Sequence, residues 1–68
     1  MIHTEIHHFY DRDRHGDDIH SVVYTVAMRG RYKAYLVKGP GEDLAVRGYG
    51  DTELAAIADL NRELERAQ

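Results

Sequence analysis

Imidazole is the most common nitrogen ligand for transition metals, and five histidines (His3, His7, His8, His15 and His20) fall in the first twenty residues of this 68-residue chain. A dedicated site needs three or four ligands converging on one point. On an extended strand His3 and His7 share a face but stand about 13 Å apart at roughly 3.3 Å per residue, beyond the reach of one ion. His8 and His20 can meet across paired strands with Asp17 or Asp18 close by, which suits adventitious zinc or nickel. No dedicated metal site and no cofactor are expected.

The other chemistry-bearing residues fall short of a reactive constellation. Asp11, Asp13, His15 and Gly16 match the front of a calcium loop, but the fifth position is His and the twelfth is Val22, where that loop needs a bidentate Glu. With no Cys, the lone Ser21 is the only strong candidate nucleophile, and it sits in a strand-like run where no exposed elbow presents it. The carboxylate pairs Asp11/Asp13 and Asp17/Asp18 lie in a polar stretch that cannot desolvate one of them for acid catalysis. Gly39, Gly41, Gly48 and Gly50 build no phosphate-binding motif, and the last two read as relief of backbone strain before a helix. No catalytic residue is expected, and the chain reads as a non-enzyme.

Charge is organised more sharply than the net value of −3 suggests. Residues 1–28 and 51–68 each sum to −3, while residues 29–50 sum to +3. Arg29, Arg31, Lys33, Lys38 and Arg47, interleaved with Tyr32 and Tyr35, form a basic island suited to gripping phosphates and stacking on bases. The same island suits an acidic protein surface equally well.

These residues are positioned by one small domain spanning 1–68. A chain this short buries roughly 60% of its unfolded surface, and its core supplies only about 3–5 kcal/mol, so a second protein surface is an expected reinforcement. Period-two alternation predicts a polar edge strand over 2–10 and a solvated acidic connection over 11–18. A central strand follows over 19–28, then a turn at Arg29-Gly30, a third strand over 31–37, a loop over 38–43 and a short strand over Leu44–Arg47. From Asp51 to Ala67 the period becomes 3.6, with Ala56, Ile57, Leu60, Leu64 and Ala67 on one stripe and Asp51 or Thr52 as the cap. The fold class is therefore α+β: an antiparallel three- to four-stranded sheet with one C-terminal amphipathic helix on one face (β-β-β-β-α).

One helix covers one face. Val23, Tyr35 and Val37 read as one apolar side of the central hairpin, against Tyr24, Tyr32 and Leu36 on the other, so one side lacks an intramolecular cover unless the acidic arm with Phe9 and Tyr10 folds over it. Val23, Arg31, Lys33, Tyr35 and Val37, with Asp59 and Glu63 of the helix, are the expected partner-binding residues. The N-terminus carries no basic region or apolar run, and no stretch reaches membrane-span length, so a cytoplasmic location without membrane contact is expected.

Gly30-Arg31-Tyr32, Pro40-Gly41, and Gly50-Asp51-Thr52 leading into Ala55-Ala56-Ile57-Ala58-Asp59-Leu60 make residues 22–64 similar to the HicB-like antitoxin domain. That resemblance implies a partial RNase H-like β-β-β-α domain without catalytic carboxylates, used for binding a small toxin and for self-association. The family's Leu-Pro-Gly-Cys loop is Gly39-Pro40-Gly41-Glu42 here, an N-terminal strand is added, and no helix-turn-helix or ribbon-helix-helix segment is present, so operator binding is not implied. A small sheet-plus-helix protein also resembles phage and mobile-element inhibitors such as anti-CRISPR proteins. The resulting expectation is a homodimeric inhibitor that neutralises a protein partner, either a toxin or a host nucleic-acid-processing complex. Nucleic-acid binding through Arg29, Arg31, Lys33, Lys38 and Arg47 is the alternative.

Overall fold

The computed structural model describes residues 3–67; Ile2, placed above in the first strand, lies outside them. The elements are β1 (Thr4–Arg12), β2 (Asp18–Met28), β3 (Arg31–Lys38), a 3-10 turn (Glu42–Leu44), β4 (Arg47–Gly50) and α1 (Glu53–Ala67). The strands form one antiparallel meander in the order β1-β2-β3-β4, and α1 packs on one face of it. The α+β class and its helix are those expected. Among the described residues no helix is long and apolar enough to cross a membrane.

The β2–β3 hairpin turns where a left-handed residue is cheapest, at Gly30 with φ of 77°. β1 and β2 form a longer hairpin than the sequence pattern suggested. Asp11 pairs with Ile19 and Arg12 with Asp18, so the expected connection over 11–18 shrinks to a turn over 13–17. The carboxylate of Asp13 organises that turn, accepting hydrogen bonds from the amides of His15 and Asp17 at 2.9 Å each. Charged residues keep their place in the ladder because the tip is exposed on both faces, and the arm extends the sheet without folding over it.

Two further expectations are corrected by the register. β4 is Arg47–Gly50 and not Leu44–Arg47: the chain first makes the 3-10 turn, and Ala45 takes a left-handed φ of 56°. The reason lies in α1. A Cβ on Gly48 would overlap the backbone of Leu60 and Ala56, and one on Gly50 would come within 2.6 Å of Ala55 and Ala56. These glycines let the helix backbone rest against β4, and relief of turn strain is not their role. The second correction concerns Val23. Val22 pairs with Lys38 and Val23 with Leu36, so Val37 is the extra residue of a bulge. Val23, Thr25 and Ala27 therefore share the helix side with Leu36, Ala34 and Tyr32, while Tyr24 faces away beside Tyr35.

The core follows from this placement: Val23, Ala34, Ala56, Ile57 and Leu60, flanked by Tyr32, Leu36, Val46 and Leu64. Thr25, buried among them, shares a hydrogen bond of 2.9 Å with His7 Nε2. Thr52 caps α1, its Oγ1 accepting from the Ala55 amide at 3.1 Å. Asp59 ties the helix to the outer strand by accepting from the Tyr49 amide at 2.9 Å, and that bond holds its carboxyl below the usual range.

Because the overlap at Gly48 involves main chain on both sides, Gly48→Ala is expected to cost about 3 kcal/mol or more in urea unfolding followed by circular dichroism. Gly30→Ala, which strains only a turn, is expected to cost about 1–2 kcal/mol. The depressed Asp59 carboxyl contributes its stability fully above the ordinary value of 3.8 and loses it as pH falls through the lower folded value. Asp59→Asn should remove that component of the acid dependence of the melting temperature.

Candidate binding face

The side of the sheet turned away from α1 is left uncovered among the described residues. In an antiparallel ladder, directly opposed residues point to the same side. The pairs Ile6–Tyr24, His8–Val22 and Tyr10–His20 in the first hairpin therefore continue into Tyr24–Tyr35, Val26–Lys33 and Met28–Arg31, then Lys33–Tyr49 and Tyr35–Arg47 at the far edge. This face holds large side chains with little shelter: Tyr10 is 76% exposed, Ile6 55% and Tyr49 44%.

The face divides into two halves by chemistry. On β3 and β4 the tyrosines are ringed by cations. The Arg31 guanidinium lies 5.3 Å from the Tyr49 ring centre, and Lys33 and Arg47 lie 5.7 and 5.3 Å from that of Tyr35. Tyr24 meets Tyr35 edge to face with centroids 5.6 Å apart. Among the described residues, none of Arg29, Arg31, Lys33, Lys38 and Arg47 lies in an ion pair, whereas Arg62 and Arg66 of the helix are each paired with a carboxylate one turn away. Unpaired cations held over aromatic rings keep their full attraction for an anionic partner.

On β1 and β2 the face is aromatic and imidazole-rich. His8 Nδ1 and His20 Nε2 share a hydrogen bond of 3.0 Å, and the Tyr10 ring stacks on His20 with centroids 4.7 Å apart and planes 3° from parallel. Desolvation, with the nearby charges of Lys38 and His8, holds the His20 imidazole below its ordinary value of 6.5. Asp18, expected near this pair, is instead engaged with Arg12 at 3.5 Å. Among the described residues no three metal-ligating side chains cluster.

The expected partner-binding residues are split among three places. Arg31, Lys33 and Tyr35 meet on the open face, and Val37 sits beside it in the bulge. Val23 is only 3% exposed and belongs to the core beneath α1, on the other side of the sheet. Asp59 and Glu63 belong to the helix, on the opposite side of the sheet, with Asp59 engaged by Tyr49 and Arg62 and Glu63 by Arg66. Of the basic island, Arg31, Lys33 and Arg47 converge around the tyrosines, Lys38 lies on the same side opposite Val22 at the bulge and near His20, and Arg29 occupies the turn. Sequence reasoning missed Tyr49 and Tyr10 as members of this surface, although alternation from Tyr24 and Tyr35 through the ladder points to both.

The helix side also carries a groove of about 430 Å³ where the β1–β2 hairpin runs past α1, floored by Phe9, Ile19, Leu36 and Leu64 with Asp11 and Glu65 on its rim. Ser21 faces this groove, while His8 and His20 lie across the sheet from it. Comparison of the chain with protein-family models, with curated proteins and with solved structures found no match.

The cause of the His20 shift has a direct check. In an NMR pH titration His20 is expected to titrate below 6.5, and Lys38→Gln should move its midpoint upward by removing a neighbouring positive charge.

Proposed function

We propose that this chain is a non-enzymatic binding module that neutralises a protein partner by laying its open sheet face on an acidic patch of that partner. The observation that carries this reading is the set of unpaired cations, Arg31, Lys33 and Arg47, mounted over Tyr35 and Tyr49 on a rigid sheet. Tyrosine and arginine dominate the energetic centres of protein interfaces, because each adds large contact area with few freedoms to lose. The surrounding Ile6, Tyr24 and Met28 supply the apolar ground from which water is excluded. The HicB-like resemblance supports the neutralising role and makes a small toxin the first partner to assay, with a host nucleic-acid-processing complex next.

Single-stranded nucleic acid is the second reading, favoured by the same alternation of rings and cations. Two features weigh toward protein. Tyr35 is already flanked by Lys33, Arg47 and Tyr24, which leaves it little free ring face for a base. The far end of the first hairpin is net acidic, with Asp11, Asp13, Asp17 and Asp18 against Arg12 and Arg14, so a long phosphate chain following the sheet would gain no net attraction there.

Charge reversal tests the face, and titration with nucleic acid separates the two readings. With a partner purified from the native host, the double variant Lys33→Glu/Arg47→Glu is expected to weaken binding by about 2 kcal/mol or more, roughly thirtyfold, while Glu63→Lys on the helix leaves it within twofold. Labelled single-stranded RNA and DNA should show no submicromolar binding by fluorescence anisotropy at low salt. Tight binding that falls steeply with added salt would favour the nucleic-acid reading over the protein one.

A further inference from the structure

We propose that His8 and His20 are half of a transition-metal site, completed when a second copy of this chain brings its own pair to the same ion. The two residues are diagonal neighbours on β1 and β2, with His8 opposite Val22 and Tyr10 opposite His20, so the ladder fixes both rings on the open face. Their facing nitrogens are 3.0 Å apart. Two imidazole nitrogens on one tetrahedral zinc ion, each about 2.0–2.1 Å from the metal, stand about 3.3 Å apart. An ion held by both nitrogens sits off the line between them, so the rings must tilt as well as part slightly to take it in place of the shared proton. Stacking of Tyr10 on His20 orients the ring.

The chain supplies two ligands and no more, since no group of three gathers among the described residues. A closed structural shell takes four. The surroundings point to a second copy as the source of the others. Ile6 and Tyr10, both well exposed, flank the histidines and would be buried in such a contact. β1 is also an open edge of the sheet, nine residues long, whose charged residues Glu5, Asp11 and Arg12 lie toward its ends and leave the stretch around His8 uncharged. Finally, Arg31, Lys33 and Arg47 lie on β3 and β4, away from a contact made over β1, and Lys38 is the basic residue that stands near His20.

The test uses the full chain stripped of metal, titrated with zinc chloride and followed by calorimetry and sedimentation. One ion bound per two chains, with a doubling of mass reversed by EDTA, is the expected result. His8→Gln and His20→Gln should each abolish both, with circular dichroism confirming that the exposed substitutions leave the fold intact, whereas His3→Gln and His15→Gln should change neither. One ion per chain without a change of mass, no uptake, or a zinc-dependent dimer that survives His8→Gln/His20→Gln would each overturn the proposal.

Discussion

The contact between the backbones of α1 and β4 at Gly48 sets the rest of this molecule. Only hydrogen at that position lets the turn of helix around Ala56 and Leu60 rest on the strand, and Gly50 extends the same approach toward Ala55. The helix is thereby drawn to the β3–β4 side of the sheet, where Ala34, Leu60 and Ala56 become fully buried and Asp59 reaches the Tyr49 amide. A 15-residue helix is about 22 Å long, against a molecule 41 Å in its longest dimension. It cannot also shelter the far end of the first hairpin, which is why a groove remains beside Phe9 and Leu64.

A second consequence concerns the other face. With α1 committed to one side, the sheet leaves the alternate residues of β1 to β4 without a covering element, and many of those residues are large. Tyr24, Tyr35 and Tyr49 form the middle and one flank, His8, Tyr10 and His20 the other. The small core beneath α1 gives a chain of this size only modest stability, and binding a partner that recognises the folded form adds to it by mass action. Among the described residues, that open face is the one without an intramolecular cover. Its two halves differ in chemistry: cations over rings on β3 and β4, imidazoles and apolar groups on β1 and β2.

Much of this was legible in the sequence, and the misses share a physical origin. The change of period at Asp51 gave the helix and its buried stripe of Ala56, Ile57 and Leu60, and the β-branched run from Ile19 gave the central strand. Local pattern could not show that Gly48 lies inside a strand, because its reason is a helix backbone that arrives only in three dimensions. Nor could it show the bulge at Val37, which shifts the register by one residue and separates Val23 from Tyr35. A slip of that size exchanges the faces of a strand, so the expected binding set mixed core and surface. The basic island survived because Arg31, Lys33 and Arg47 fall on one face once the true pairing is drawn, and Tyr49 joins them only through β4, a strand the pattern placed three residues too early.

The central claim is that partners meet the face of the sheet that α1 leaves open. Radical footprinting of the chain alone and in complex with its partner tests it most directly, because side-chain reactivity reports exposure residue by residue. The account predicts that Tyr35 and Tyr49 lose reactivity on binding while Leu54, 80% exposed on the helix, keeps its own. Protection of Leu54 and Phe9 with Tyr35 and Tyr49 unchanged would contradict it.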